Sequence, residues 1–315
     1  MSLEPEIGDR LAEEMARVRP CFPLRRAKIQ RPFLPEETLP RDRLFSLLEA
    51  RAGRRLVYVV AEAGFGKTTL VADFLRRSQL RTFWYRLDED DTDSLVFIRY
   101  LVAACQAVDT NLLARCASLL AESTPEPAPV EIVTETLLAE VGGLGDIPSA
   151  LVLDDFHMAE PVPAIGALVE RLLARAPAGL EVIVASRRTP SLSVAALRAR
   201  GEIAELGREE LRFDEAETGR LFRDSYHHPL EPDVLRDLQA RTDGWAASLQ
   251  LVKTAVDGRS PGQVRSFVNS LSGAEGDLYD YLAEEVVGDL EPELRDFLVR
   301  TSILEDIEPE TASVA

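Results

Sequence analysis

Short apolar runs alternate with helical patterns along the chain as far as Gly207. Between the runs, apolar residues recur every three or four positions, as from Leu95 to Val108 and from Ile165 to Leu173. The runs predict strands at 56–60, 82–87, 150–153, 180–185 and 203–206. Buried strands that alternate with helices indicate a parallel sheet covered by helices on both faces. The pattern therefore predicts an α/β fold class.

Beyond Gly207 the strand pattern stops and only helical patterns continue. Asp214 and Glu217 have the spacing of a capping box at the start of a helix. Two later helices are expected to join at Asp243-Gly244. The helical predictions are 232–241, 245–256, 278–287 and the stretch after Pro292.

A glycine-containing loop follows the first predicted strand and leads into a helical pattern. It reads Ala61-Glu62-Ala63-Gly64-Phe65-Gly66-Lys67-Thr68-Thr69. Such a loop at a helix N-terminus aims backbone N–H groups at one point, which suits a polyphosphate. We expect Lys67 to reach the β- and γ-phosphates and the Thr68 hydroxyl to take a Mg²⁺ position. Ala61 stands where the full motif has glycine, so a plain glycine turn beside an exposed lysine is the alternative.

Two acids, Asp154 and Asp155, directly follow the apolar run that begins at Ala150. Mg²⁺ prefers hard oxygen ligands, so Asp154 is the candidate to hold it, directly or through a water. Asp155 is the candidate base for the attacking water. Acids after strands also serve as helix caps and turn residues. Because ligands of parallel sheets bind at the carboxyl ends of strands, the loop and the acid pair agree in position.

A third predicted strand ends at Ser186-Arg187. A fixed guanidinium at Arg187 can contact a terminal phosphate and report its presence. Taken alone, an arginine after a strand is more often a surface residue. His157, just beyond the acid pair, is equally compatible with the site's hydrogen-bond network and with a plain surface position.

The charge disfavours nucleic acid as a direct ligand. The formal net charge is −18, from 36 basic and 54 acidic residues, whereas DNA-reading surfaces are normally basic. The short basic run that contains Arg25, Arg26, Lys28 and Arg31 is expected to be solvated or to contact neighbouring acids.

Composition places the chain among cytoplasmic proteins. No apolar run has the length of a membrane span, and the N-terminus lacks the apolar core of a signal peptide. Its three cysteines, Cys21, Cys105 and Cys116, are scattered, which is typical of reduced thiols. Cys105 lies on an apolar helical face and is expected in the core.

Several strings, in order along the chain, together carry a family resemblance. They are Arg31-Pro32, Pro40-Arg41-Asp42-Arg43-Leu44, the loop from Ala63 to Thr69, Trp84-Tyr85 with 87–91, 151–157, 185–187, 243–246 with 249–251, and Tyr281-Leu282 with Glu285-Val286. The chain resembles the N-terminal ATPase region of bacterial regulators of the maltose-regulon activator type, within the signal-transducing ATPases with numerous domains. This family often lacks the first glycine of the loop.

The resemblance implies a P-loop nucleotide-binding domain at 31–207, a small helical domain at 208–265 and the start of a winged-helix domain at 266–315. Residues 1–30 precede these as an extension of unknown role. The implied cofactors are ATP or ADP and Mg²⁺, with the adenine near Pro40-Arg41 and near Gly244-Trp245. Trp245 has the alternative role of a core aromatic residue. Family members continue into C-terminal sensor and output regions, so the chain is expected to be the front part of a longer protein.

These inferences predict an ATP-dependent switch module of a transcriptional regulator. ADP is expected to hold the domains closed. Exchange for ATP, aided by a small-molecule inducer or protein regulator, is expected to permit opening and self-association, and slow hydrolysis resets the switch. Catalytic roles fall to Lys67, Asp155 and Arg187, and nucleotide contacts to Ala63, Gly64, Phe65, Gly66, Lys67, Thr68, Thr69, Pro40, Arg41 and Trp245. The alternatives are a ring-forming AAA+ turnover ATPase that remodels protein or nucleic acid, and an interaction protein with a vestigial pocket.

Overall fold

The structure, a computed structural model, describes residues 24–36, 38–50, 53–91, 93–121, 129–145 and 147–271. They fall into two compact units. The first contains the described residues of 24–34, 45–60 and 68–207, and the second contains those of 35–44, 61–67 and 208–271. The helices expected at 278–287 and after Pro292, and most of the expected winged-helix segment, lie outside the described residues.

The first unit is built on a five-stranded sheet whose strands all run parallel, in the order β2-β3-β4-β1-β5. The strands are β1 Leu56–Val60, β2 Arg81–Arg86, β3 Ser149–Asp154, β4 Leu180–Ser186 and β5 Ile203–Leu206. The α/β prediction is therefore confirmed, and each strand end lies within one residue of its predicted place. Strand β3 is buried along its whole length, as the apolar run requires.

One helix precedes the first strand and others connect the strands. In chain order they are α1 Asp42–Glu49, α2 Lys67–Arg77, α3 Ser94–Gln106, α4 Ala114–Ala121, α5 Val130–Gly142, α6 Pro163–Arg175 and α7 Ala195–Ala199. Asp93 caps α3 by accepting hydrogen bonds from the backbone of Leu95 and Val96. The helix buries Phe97, Leu101 and Cys105 in the main core.

Two details of this region bear on the sequence interpretation, one that differs from it and one that agrees. Val108 follows the end of α3 and is exposed, because the helix ends before the apolar pattern does. Cys105 and Cys116 are free thiols in the core, and burial raises the pKa of each to about 12. The core position expected for Cys105 is confirmed.

The segment before the sheet is anchored by a buried lysine. A short 3₁₀ turn, Arg26–Lys28, places the Lys28 ammonium 2.6 Å from Asp91 and 2.9 Å from Asp88. Asp91 is fully buried and also accepts a hydrogen bond from Tyr85 at 2.7 Å. The contact with neighbouring acids expected for this basic run is confirmed for Lys28.

The second unit is helical where it follows Gly207. Its helices are α8 Arg208–Leu211, α9 Glu215–Arg220 with a π-turn Leu221–Ser225, α10 Pro232–Thr242, α11 Ala246–Val256 and α12 Pro261–Ser270. The capping box of Asp214 and Glu217 is confirmed. Sequence reasoning missed α12, although Ser260 and Gln263 form another capping box at its start. The core of these helices includes Phe213, Phe222, Leu238, Leu249 and Val252.

Gly244 makes the junction between α10 and α11 possible. Its φ of +67° is in the left-handed region, and a Cβ there would lie 2.0 Å from the carbonyl oxygen of Phe213. Phe213 in turn donates its backbone N–H to the Gly244 carbonyl at 2.9 Å. Only glycine fits this position.

Among the described residues, no helix combines the length and the apolar character needed to cross a membrane.

Candidate functional site

Thr68 and Asp154, the two residues predicted to hold a metal, lie together in the first unit. The Thr68 hydroxyl donates to the Asp154 carboxylate, with Oγ1 2.9 Å from Oδ1 and 3.1 Å from Oδ2. Asp154 is the last residue of β3 and is fully buried. Thr68 lies in the first turn of α2, which the chain enters after leaving β1. The fold thus joins residues that are far apart in sequence.

The surroundings of Asp154 make its carboxylate costly to ionise. Burial raises its pKa to about 7, and the neighbouring charge of Asp155 adds to this, whereas the hydrogen bond from Thr68 opposes it. A buried carboxylate that is costly to ionise favours a cation beside it. A carboxylate and a hydroxyl are also the hard oxygen donors that Mg²⁺ prefers. The residues present therefore fit a Mg²⁺ ion.

Asp155 is held in an unusual backbone conformation. Its φ of 55° and ψ of 39° are left-handed, which is uncommon outside glycine and concentrates at functional sites. Its Oδ2 accepts a hydrogen bond from the Arg86 Nε–H at 3.0 Å. Arg86 is the last residue of β2. Sequence reasoning did not single it out, although it lies between two strings that carry the family resemblance, Trp84-Tyr85 and 87–91.

Arg187 directly follows β4, whose last residue, Ser186, pairs with Val60 at the end of β1. The carboxyl ends of β1, β3 and β4 therefore lie along one edge of the sheet, as predicted for the loop, the acid pair and this arginine. Arg187 is half-buried there. His157 lies two residues beyond Asp155, in the 3₁₀ helix Phe156–Ala159, and is also half-buried.

The loop at 61–67 groups with the second unit. Gly64 and Gly66 have φ values of +77° and +74°, which explains the two glycines. The Lys67 side chain is buried, and its ammonium donates to the carbonyl oxygens of Ala61 at 2.7 Å and Glu62 at 2.9 Å. Lys67 is therefore not the exposed lysine of the alternative interpretation.

The start of α11 contacts this loop directly. The Trp245 Nε1–H donates to the Ala63 carbonyl at 3.0 Å, and the Ala247 N–H donates to the Gly64 carbonyl at 3.0 Å. A Cβ on Gly64 would lie 2.7 Å from the Ala247 Cβ and 2.8 Å from Trp245 Nε1. Gly64 is thus required twice, by its φ and by the close approach of α11.

Within the second unit Trp245 has an aromatic neighbour, Phe65, which in turn has a cationic neighbour. Its ring centroid lies 6.4 Å from that of Phe65, and the Arg208 guanidinium lies 5.5 Å from the Phe65 centroid. Arg208 also pairs with Glu62 at 3.7 Å. Trp245 itself is half-buried and precedes α11 as its N-cap residue. Its indole N–H therefore bonds to the loop at Ala63. The expected contact of Trp245 with adenine stays a prediction.

Arg41 has a full set of partners inside the second unit. Its guanidinium donates to the carbonyls of Leu211 and Arg212, each at 2.6 Å, and to Glu217 Oε2 at 2.7 Å. It also lies 3.9 Å from the ring centroid of Phe213. Burial by itself raises the pKa of Glu217. The ion pairs with Arg41 and Arg43 outweigh this effect and bring the pKa below its usual value. Pro40, its neighbour, is half-buried, and adenine binding by this pair stays a prediction.

The sheet order, with a loop-to-helix turn after β1 and a buried aspartate at the end of β3, is that of the P-loop nucleoside triphosphatases. Residues 38–185 match the family model of the AAA ATPase domain. The predicted class of fold is thus confirmed.

The relatives are bacterial transcription regulators. The chain is 33% identical over 280 residues to the HTH-type transcriptional regulator MalT of Yersinia pestis, covering 88% of this chain and 30% of that protein. It is 31% identical over 281 residues to MalT of Cronobacter sakazakii, with the same shares covered. The predicted resemblance is therefore confirmed, and the chain spans about a third of the length of these curated relatives.

Two solved structures share the fold. One is a signal transduction ATPase with numerous domains, carrying a tetratricopeptide repeat sensor, from Pyrococcus horikoshii. Its TM-score is 0.50 at 18% identity, covering 92% of this chain and 38% of that one. The other is the Walker-type ATPase of Pyrococcus abyssi, with a TM-score of 0.51 at 12% identity and 90% of each chain covered.

Proposed function

We propose that this chain is a nucleotide-binding switch module of a signal-responsive transcriptional regulator, with ATP and ADP as its ligands. The observation that carries the proposal is the hydrogen bond between Thr68 and the buried Asp154. Thr68 directly follows Lys67 in the phosphate-loop motif. The relatives supply the regulatory context, because they are transcriptional regulators that this chain matches over 88% of its length.

Lys67 and the loop supply the phosphate-binding groups. Backbone N–H groups at the start of α2 favour an anion, and the lysine adds a full positive charge. In the structure the ammonium bonds to the carbonyls of Ala61 and Glu62. Phosphate binding would exchange these neutral acceptors for charged ones, which form stronger bonds.

Thr68 and Asp154 would hold Mg²⁺, which supplies charge neutralisation for the phosphates when it is bound. Asp155, adjacent to the metal ligand and less deeply buried, would accept the proton of the attacking water. Arg187, at the same edge of the sheet, would contact the terminal phosphate and distinguish ATP from ADP. Slow hydrolysis of ATP to ADP would then set how long the ATP-bound state lasts.

The contacts of α11 with the loop would couple nucleotide binding to the position of this helix. Trp245 and Ala247 bond to the carbonyls of Ala63 and Gly64, so any shift of the loop on phosphate binding alters both bonds. A ligand can bias such an arrangement only by its differential affinity for the two states. We propose that ADP favours the contact seen here and that ATP, with a small-molecule inducer or regulatory protein, favours its release and self-association.

The acidic chain, with a net charge of −18, is proposed to act in the cytoplasm without binding nucleic acid itself. DNA contact would belong to other parts of the full protein, as in a regulator assembled from several domains.

The test is to denature the purified chain, identify the released nucleotide and measure steady-state turnover. The proposal expects bound ADP and turnover below about 1 s⁻¹, under the ordinary range of enzymes. Fast, partner-stimulated turnover supports the ring-forming ATPase instead. Absence of both binding and turnover, with the chain folded, supports the interaction protein.

A further inference from the structure

The ion pair of Arg212 with Asp243 holds the turn that precedes Trp245. Within the second unit, Arg212 Nη1 lies 3.1 Å from Asp243 Oδ1 and Nη2 lies 2.8 Å from Oδ2. A guanidinium that meets a carboxylate at two points fixes its direction as well as its distance. The Arg212 side chain is 26% exposed, whereas that of Asp243 is 58% exposed. The carboxylate is therefore held by the more buried of the two partners.

The position of Asp243 in its helix explains why a cation is needed there. Asp243 is the C-cap residue of α10, with a left-handed φ of 49°. A carboxylate at a helix C-terminus is disfavoured, because the helix dipole is negative at that end. The guanidinium of Arg212 offsets this charge. Glu209, the other acid paired with Arg212, is 75% exposed at 3.2 Å, so that pair is weak.

The backbone of Arg212 is itself fixed. Its carbonyl accepts hydrogen bonds from Arg41 Nη2 at 2.6 Å and from Arg43 Nη2 at 3.0 Å. The next residue, Phe213, donates its backbone N–H to the Gly244 carbonyl at 2.9 Å. The turn is thus joined to a held segment by a backbone bond beside the ion pair.

The turn leads directly into the contacts with the phosphate-loop motif. Trp245, two residues after Asp243, donates its indole N–H to the Ala63 carbonyl at 3.0 Å. Ala247, at the start of α11, donates its backbone N–H to the Gly64 carbonyl at 3.0 Å. Because so few residues separate Asp243 from these donors, the position of its carboxylate constrains theirs.

We propose that Arg212 is a positioning residue that, through Asp243, holds Trp245 on the phosphate-loop motif and so slows the release of nucleotide. Arg212 acts on the turn alone and does not contact the ligand. This inference rests on the proposed function, because it assigns a retention role at that nucleotide site. The position of the indole can nevertheless be measured without nucleotide.

Hydrogen exchange of the Trp245 indole N–H in the nucleotide-free chain tests the position of Trp245. Trp84 is the only other tryptophan of the sequence, so its indole signal is the internal reference in an NMR measurement. Arg212→Met keeps much of the side-chain length but has no donor, and Asp243→Asn removes the charge while tolerating a left-handed backbone. Each should speed exchange at Trp245 roughly two- to fivefold, the size expected for a partly exposed ion pair.

Release of a fluorescent ADP analogue tests the retention role. Arg212→Met and Asp243→Asn should each release it roughly two- to fivefold faster than the parent. The double variant should be no faster than Arg212→Met alone, because either change removes the same ion pair. In a Trp245→Phe background, Arg212→Met should add no further acceleration, whereas a general loosening of the unit would still do so.

Arg265→Met is the matched control. Arg265 is also a partly exposed arginine of the second unit, and it pairs with Asp233 in the first turn of α10, at the opposite end of that helix. Its loss should leave the exchange of Trp245 and the release of ADP at the parent rates. Far-UV circular dichroism confirms that each variant is folded.

Unchanged indole exchange at Trp245 in folded Arg212→Met and Asp243→Asn overturns the clamp, with or without nucleotide. Equal acceleration at Trp84, or in Arg265→Met, also overturns it, since the effect would then be general. Faster exchange with ADP release at the parent rate overturns the retention role. Failure of the folded parent chain to bind ADP or ATP overturns the proposed function and the retention role with it, while indole exchange still decides whether Arg212 positions Trp245.

Discussion

The indole N–H of Trp245 donates to the carbonyl of Ala63 at 3.0 Å and so joins the residue that precedes α11 to the phosphate-loop motif, 182 positions earlier in the chain. Replacing Trp245 with phenylalanine keeps an aromatic ring but removes this donor. A net hydrogen bond contributes about 1 kcal/mol, so we expect ADP to dissociate roughly five times faster. Stopped-flow release of a fluorescent ADP analogue measures this rate.

Trp84→Phe is the control for Trp245→Phe. It removes the only other indole of the sequence, which lies in the buried part of β2. If both variants release ADP at the parent rate, the bond between Trp245 and Ala63 has no part in nucleotide retention.

Gly64 and Gly66 allow the close approach of α11 to be separated from backbone conformation. Both have positive φ, but a Cβ on Gly66 would have its nearest neighbour, Ala246 Cβ, at 3.9 Å, whereas one on Gly64 would lie 2.7 Å from Ala247 Cβ. Alanine at positive φ costs about 1–2 kcal/mol at either position. Overpacking should add about 1–3 kcal/mol for Gly64→Ala alone.

Urea unfolding of the nucleotide-free variants measures these two losses of stability. Equal losses for Gly64→Ala and Gly66→Ala would contradict the packing of α11 on the loop.

The acid pair should divide into two roles. Asp155→Asn keeps the shape of the side chain but makes a far poorer base, so turnover should fall by roughly a hundredfold or more while nucleotide affinity stays close to that of the parent. Asp154→Asn should instead weaken the dependence of binding on Mg²⁺. Calorimetric titration with and without Mg²⁺, together with phosphate release, measures both. Parent-like turnover in Asp155→Asn rules out the general base.

Glu181, on β4, should make the stability of the fold depend on pH. Burial raises its pKa to about 7, above the ordinary value near 4.3 of an unfolded chain. The folded state therefore binds more protons between these two values, and the free energy of unfolding falls as pH rises through that window. The loss should reach about 1–3 kcal/mol above pH 7.

Glu181→Gln removes this titration. Relative to the parent, the variant should gain stability at pH 8 and show little gain at pH 5, as measured by denaturant unfolding at each pH. An equal effect at both values would mean that ionisation of Glu181 does not oppose folding.

The sheet could be predicted from the sequence because burial on both faces makes β1 and most of β3 and β4 apolar. All five strands were found, and the residues at their carboxyl ends, such as Asp154 and Arg187, followed from that placement. The expectation that Thr68 and Asp154 belong to one site rested on a loop motif and on an acid after a strand, which both carry a local signal. The direct hydrogen bond between them was not predicted.

The contacts that sequence reasoning missed join residues that lie far apart in the sequence. Arg86 reads as an ordinary strand end, and only the register of β2 against β3 brings it to Asp155. Ala247 bonds to the loop through its backbone, which no side-chain pattern reveals. Arg41 belonged to a recognisable string, but its ion pair with Glu217 is set by tertiary packing.

Binding of Mg²⁺-ADP and Mg²⁺-ATP to the parent chain and to Lys67→Ala tests the central claim most directly. At about a hundred times its dissociation constant, nucleotide should stabilise the parent by roughly 2.7 kcal/mol. Lys67→Ala should lose most of this gain, because it removes the charge that the phosphates meet, whereas Lys253→Ala, a lysine on α11, should keep it. An equal nucleotide-induced thermal shift in Lys67→Ala and the parent, or no shift in a folded parent, would contradict the phosphate site.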